Sequence, residues 1–410
     1  MTRTGEELRS AAEQLGLFAK LGFRSKAAMQ MERQLRALWE PAPASPAAVS
    51  ASAPERVSPN TPVILHLSDI HFGTKPGKDG PVEMHRFYSG DYERPLHEHL
   101  IAEFASKSAH FEQDHSRFVL VVSGDLTYQG TEDEFERMHD FLVVLCESLT
   151  LPRDRVVLVP GNHDVHWPSA KENVRKRFDN YLVFLHKFYG EKLFRERYPL
   201  VTWDLRVNGA RPAAEELIAL YCQDGLVVAG LNSCVYETEQ HHYGFIGGKQ
   251  LDNLKRLLDQ TESAASDLRV AVLHHHLHPF PEPILSRTEP EIWMDLSTIR
   301  DAGLVERRLE KLGFDLVLHG HKHKPQLRET LVHEQAVSKA LPPRMFLCGA
   351  GSAGVNAGEL EHATANHYAM LELLRLPRSA GAEFLAVEWR EIALAPGAEW
   401  TTSRRWVLSG

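Results

Sequence analysis

From Pro62 onward the chain repeats one pattern: a short run of valine, isoleucine and leucine, in most cases followed at once by aspartate, asparagine or histidine. The runs are VILHL, FVLVVSG, VVLVP, LVVAGL, VAVLH and FDLVLHG. Each is too short for a buried helix and rich in β-branched residues, so each reads as a strand covered on both faces. Helical patterns lie between them, clearest from Glu132 to Leu149 and from Gln250 to Leu258. That alternation predicts an α/β architecture. After Arg344 the helices give way to MFLCG, YAMLELL, EFLAVEWR and a last tryptophan-bearing segment. These read as mostly antiparallel strands that close a second sheet.

Upstream the texture differs. Residues 1–40 read as a helical extension, with Ala28, Met31, Leu35 and Leu38 spaced to form one apolar face. Residues 41–61 are a proline- and alanine-rich linker, and 62–410 form the main domain. With 43% hydrophobic and 25% charged residues, that domain has the means for a packed core. A net charge of −9 argues against broad duplex nucleic-acid binding, though a single strand reaching a metal site stays open. The four cysteines show no CxxC spacing and are expected to be reduced thiols of a cytoplasmic protein. No apolar stretch is long enough to suggest a signal peptide or a membrane span.

The chemistry is concentrated where the strands stop. Asp69-Ile70-His71 follows VILHLS, Gly124-Asp125 ends FVLVVS, and Gly161-Asn162-His163-Asp164 follows VVLVP. His274-His275-His276 closes VAVL, and Gly320-His321-Lys322-His323 closes FDLVLH. In an extended segment Asp69 and His71 would point the same way and grip one ion. Gly124 would let backbone approach closely beside Asp125. Ligands of open α/β sheets gather beyond the carboxyl ends of the strands, so these ends are expected to converge on one site. Imidazole mixed with oxygen donors, and no thiolate, suits manganese, iron or zinc in a reactive centre more than a structural zinc cluster.

The ordered set DxH, GD, GNHD, an HH pair and GHxH, from Asp69 to His323, resembles the calcineurin-like metallophosphoesterase superfamily. The stretches LSDIHFG, GDLTYQG and VPGNHD look closest to the bacterial class III cyclic-nucleotide phosphodiesterases. The resemblance implies a four-layer αββα sandwich of two mixed sheets and a pair of divalent metals, manganese first among manganese, iron and zinc. It implies that Asp125 bridges the pair. Asp69, His71 and His323 would complete one metal's ligands, and Asn162, His274 and His321 the other's. His163 would be a catalytic histidine outside the ligand set, with Asp164 orienting its imidazole. The implied reaction is hydrolysis of a nucleotide-type phosphodiester by a metal-bridging hydroxide.

Other readings stand beside this one. His274 and His275 are neighbours, so a one-residue slip at the strand end would exchange them as ligand. His275 and His242 are candidates to face the substrate. Lys171 to Arg197 is rich in lysine and arginine, with Val174, Phe178, Tyr181, Leu185 and Phe188 on one helical stripe. It reads first as an amphipathic helix with a solvated basic face, and second as a basic rim over the site. CGAGSAG, from Cys348 to Gly354, lacks a βαβ context and reads as a turn bordering the site. Rival functions are a phosphomonoesterase, a nuclease on single-stranded DNA or RNA, and a non-enzymatic scaffold. The scaffold would work through the N-terminal helices, which are also the expected contact for a protein partner or a second copy.

Overall fold

The computed structural model describes residues 62–87, 94–105, 117–202, 211–239, 243–263, 267–280, 297–331, 344–360, 365–374, 383–395 and 397–409. The helical extension, the linker and His242 therefore lie outside the described residues.

In chain order the strands are β1 (Val63–Leu67), β2 (Thr74–Lys75), β3 (Val82–Glu83), β4 (Phe118–Val122) and β5 (Val156–Leu158). They continue as β6 (Ala219–Gln223), β7 (Leu226–Gly230), β8 (Leu268–Val272), β9 (Leu316–His319) and β10 (Pro325–Leu331). The last four are β11 (Arg344–Ala350), β12 (Ala365–Leu373), β13 (Glu383–Ala393) and β14 (Thr401–Ser409). The α-helices are α1 (Leu96–Ala105), α2 (Glu132–Ser148), α3 (Trp167–Glu172), α4 (Asp179–Arg197), α5 (Gly248–Asp259) and α6 (Ala302–Lys311).

Two six-stranded mixed sheets result, ordered β14-β13-β12-β1-β4-β5 and β10-β11-β9-β8-β7-β6. β1, β4 and β5 run parallel in the first, and β7, β8, β9 and β11 run parallel in the second. Period-two alternation sorts the second sheet's side chains into layers. Val228, Val270, Val272, Leu316, Leu318, Phe346 and Cys348 join the larger core with the first sheet. Val227, Ala229, Ala271, Val317, Met345 and Leu347 turn the other way, onto Leu251, Leu254, Val305 and Leu309 of α5 and α6. Helices α1, α2 and α4 bury their apolar faces in the larger core. The architecture is thus the expected αββα sandwich.

The expected closure of a second sheet by the C-terminal strands needs correction. Only β11 enters the second sheet, whereas β12 pairs antiparallel with β1 and carries β13 and β14 with it. Strand β1 has β4 on one side only, so its other edge must be covered, and β12 covers it. The join is tied by polar contacts. Glu103 of α1 accepts from Arg390 Nε at 2.6 Å and from the Tyr368 hydroxyl at 3.0 Å, all three being buried.

Helix α2 starts where its sequence says it should. Thr131 accepts from the Glu134 amide, Glu134 reaches back to the Thr131 amide, and three acidic residues occupy the first turn. The basic segment resolves as the amphipathic reading expected. Tyr181, Leu185 and Phe188 are buried, while Val174 lies outside α4 and is 49% exposed. Lys171, Lys176, Lys187, Lys192 and Arg195 all pair with glutamates. Arg197 is buried on the backbone carbonyls of Leu220 and Asp154.

Candidate metal centre

Each ligand candidate sits in the loop just beyond a strand. Asp69 and His71 follow β1, Asp125 follows β4, Asn162 follows β5, His274 follows β8, and His321 and His323 follow β9. The parallel strands of both sheets therefore deliver their carboxyl ends to one place.

The loops are not extended, as the spacing of Asp69 and His71 suggested. Asp69 (φ 53°), His71 (φ 56°), Asp125 (φ 53°), His321 (φ 74°) and His323 (φ 53°) all lie in the left-handed region. For non-glycine residues that conformation costs on the order of 1–2 kcal/mol apiece. Cross-loop hydrogen bonds hold it. The Asp69 amide donates to Gly124 O, those of Ile70 and His71 to Asp125 O, and that of Phe72 to Leu126 O. The His321 amide donates to the Asp69 carboxylate at 3.1 Å. Gly124 has φ 94°, and a Cβ there would meet His274 Nδ1 at 2.6 Å, so the expected close approach is real. Gly161 is tighter: a Cβ would lie 2.1 Å from Asp125 Oδ1. Gly161→Ala is expected to displace that carboxylate and destabilise the fold by about 1–3 kcal/mol. Thermal melts together with metal titration would check it; a variant with native stability and native metal affinity would contradict the packing described.

The side chains converge in two groups flanking Asp125. On one side, His71 Nε2 lies 3.3 Å from Asp125 Oδ2 and 3.9 Å from Asp69 Oδ1, and His323 Nε2 lies 3.4 Å from Asp69 Oδ1. On the other, His274 Nε2 is 3.2 Å from Asp125 Oδ2. His274 Nε2, His321 Nδ1 and Asn162 Oδ1 form a triangle with sides of 2.9, 3.0 and 3.1 Å. Asp69, Asp125, His71 and His274 are almost wholly buried.

The hydrogen bonds on the far side of each ring say which atoms face inward. His274 Nδ1 donates to Ser123 O at 2.9 Å, and His323 Nδ1 donates to Glu359 O at 2.9 Å. Carbonyls only accept, so Nε2 of each ring presents a lone pair to the centre when neutral. Both ring nitrogens of buried His71 lack a hydrogen-bond partner among the described residues. Lone pairs aimed at carboxylates and at one another repel unless a proton or a cation lies among them. The donor set therefore fits divalent metal ions, and the outer nitrogens of His274 and His323 are anchored as metal-bound imidazoles usually are. The same demand appears in the protonation equilibria. Burial opposes charge on His71, but Asp125 and Asp69 overcome it and push its pKa up to about 10. Burial likewise opposes charge on His274, and Asp125 takes it to about 9. His321, desolvated by burial and set among His275, His274 and His276, is held well below the usual histidine range.

The structure brings His274, and not His275, to Asp125. His275 Nδ1 instead pairs with Ser233 Oγ at 2.9 Å, with its ring 4.6 Å from that of His321. His163 also joins the cluster. Its ring centre is 4.7 Å from that of His71, and its amide donates to Asp125 Oδ1 at 2.9 Å. The expected orienting role of Asp164 is replaced. His163 Nδ1 donates to Tyr128 O at 2.7 Å, and the Tyr128 ring stacks on the imidazole at 5.0 Å and 21°. Asp164 accepts from the amides of Leu126, Thr127 and Gly161 and from the Thr127 hydroxyl, so it braces the loops instead. Burial and the nearby Asp125 push its carboxyl up to about 7.

Sequence reasoning missed Tyr128, Glu359 and His85. The first two hold the rings of His163 and His323 through backbone carbonyls, which no side-chain pattern reports. Buried His85 donates from Nδ1 to Ile70 O at 2.7 Å, between Asp69 and His71. Of the segment expected as a turn, Cys348–Ala350 instead ends β11, and residues 351–354 beyond it border the site. Ser352 Oγ donates to Asp69 O at 2.8 Å, and the Ala353 amide to Ser68 O at 2.8 Å.

No curated protein matches the chain. Among solved structures, purple acid phosphatase PPD1 from yellow lupin seeds is 11% identical with a TM-score of 0.48. The match covers 85% of this chain and 53% of that one, so the present chain spans about half its length. PhoD matches at 11% identity and a TM-score of 0.48, over 86% and 71% of the two chains. Phosphopantetheinyl hydrolase from Mycobacterium tuberculosis matches at 13% and a TM-score of 0.35, over 74% and 93%. The family pattern described as calcineurin-like phosphoesterase covers residues 62–325, more than half of the sequence, and the chain belongs to that family.

Proposed function

We propose that this protein is a metal-dependent phosphodiesterase that hydrolyses a nucleotide-type phosphodiester. The observation that carries the reading is the pair of donor groups sharing Asp125 between them. Asp69, His71 and His323 would hold one divalent ion and Asn162, His274 and His321 a second, with Asp125 serving both and manganese the favoured metal. When bound, such ions supply positive charge to a phosphoryl group and make a coordinated water acidic enough to ionise near neutral pH.

The chain's own residues account for the rest. Asp125 Oδ1 accepts the His163 amide, so the carboxylate that gathers the ligands also places the catalytic loop. Nδ1 of His163 is committed to Tyr128, which leaves Nε2 as the ring atom free to take up a proton and pass it to the ester. Burial lowers the His163 pKa to about 4, so the ring is neutral at pH 7 before ligands bind. Asp164 keeps the loop rigid, and rigidity is what a near-attack geometry requires. Preference for a diester rests on the local texture of LSDIHFG, GDLTYQG and VPGNHD. The four cysteines are free thiols, which suits a cytoplasmic setting. Among the described residues no helix is long and apolar enough to cross a membrane.

A substrate panel after metal reconstitution tests the reading. Turnover of bis(p-nitrophenyl) phosphate is expected to exceed that of p-nitrophenyl phosphate. The reverse order would make the protein a phosphomonoesterase. Metal-loaded protein inert toward both would remove the enzymatic reading.

A further inference from the structure

A cavity of ≈ 590 Å³ opens beside α4 and the start of α5, with Arg175, Arg177, Phe178, Arg211, Tyr236 and Lys249 in its walls. Arg177 is the unusual member. It is only 7% exposed, its guanidinium donates to Val174 O and Val235 O, and its Nε has no hydrogen-bond partner among the described residues. Among the described residues no carboxylate pairs with it. Burial lowers its pKa, and the nearby Glu215 and Glu237 offset that loss of water only in part.

Arg175 and Lys249 also line the cavity without an ion pair among the described residues. Arg211 is engaged by Asp179 at 2.8 Å, and Glu216 by the Ala213 amide at 2.9 Å. With Arg211 paired, Arg175, Arg177 and Lys249 face the carboxylates of Glu215 and Glu216, a wall of net positive charge. At the rim, Tyr236 is 51% exposed, and its ring centre lies 4.7 Å from that of Phe245 at 41°. Cations beside an open aromatic ring are suited to a phosphate joined to a planar base.

Two loops connect the walls of the cavity to the metal centre. Arg177 O accepts the amide of His166, three residues beyond His163 in the chain. Val235, whose carbonyl Arg177 holds, follows Cys234, and Cys234 Sγ lies 4.0 Å from His275 Nδ1.

We propose that this cavity binds a nucleoside phosphate next to the scissile ester. Its purpose rests on the diesterase reading, but its occupancy can be tested without turnover. The probe is a 5′-fluorescein-labelled oligodeoxyadenylate of about five nucleotides, a length within one single-strand site, followed by fluorescence anisotropy in EDTA. Tyr236→Ala is expected to raise Kd about tenfold, the scale of one lost base stack. Arg175→Glu combined with Lys249→Glu is expected to weaken binding further and to flatten its salt dependence. Displacement of the probe by adenosine monophosphate would assign the cavity to free nucleotides; resistance to it would assign it to strands. These positions are exposed or half-buried, so unchanged thermal melts can certify the fold. Absence of probe binding, or equal binding by wild type and variants, would overturn the proposal. Inert metal-loaded protein that still binds the probe would refute the diesterase reading alone.

Discussion

Asp125→Asn is expected to lower metal affinity by about 100-fold or more, at or above the upper end of what outer-shell changes cost. One oxygen of this carboxylate lies 3.3 Å from His71 Nε2 and 3.2 Å from His274 Nε2. Its other oxygen accepts the His163 amide at 2.9 Å. An amide has a single oxygen and no charge, so it can keep only part of that set. Burial works against the ionised form of Asp125, yet His274 and His163 hold its pKa well below the usual carboxylate range. The substitution removes a charge that the surrounding imidazoles were arranged to meet. Metal content after dialysis, measured by mass spectrometry alongside a thermal melt, is the direct check. Retention of two ions per chain at wild-type affinity would overturn the proposed bridging role of Asp125.

His163→Ala separates chemistry from metal binding. Turnover should fall by roughly 10²–10⁴, the range for a group that moves a proton in the transition state. Metal content should hold, because the His163 amide that meets Asp125 survives the change and the ring is not among the proposed ligands. The loss should fall on kcat with KM little altered, as for an interaction made only in the transition state. Replacing Tyr128 with phenylalanine offers a control: the carbonyl that accepts from His163 belongs to the backbone and is retained. A His163→Ala enzyme with wild-type kcat would exclude the ring from the mechanism.

The fold was legible where a strand is buried on both faces. β1, β4, β7 and β9 stand out as apolar runs because neither face meets water. β6 and β10 escaped notice for the opposite reason: they are sheet edges with partly exposed patterns, and Pro325–Leu331 carries as much polar as apolar character. Which sheet the C-terminal strands join was also hidden, since pairing partners depend on the free edge that β1 leaves. Of the site, the candidates that meet were named by motif. The way they meet was not, because the Asp69 to His71 loop adopts left-handed backbone where spacing alone suggested a strand.

The amino-acid sequence determined the donor inventory and its order: carboxylate, imidazole and amide groups placed just past runs that could only be buried strands. Residue type and position are carried by the chain itself. The tertiary structure alone decided that His274 takes the inner place while His275 turns to Ser233, that Tyr128 holds His163, and that Asp164 braces a loop. Those outcomes depend on backbone carbonyls and amides brought together from separate strands, and every residue type supplies the same ones.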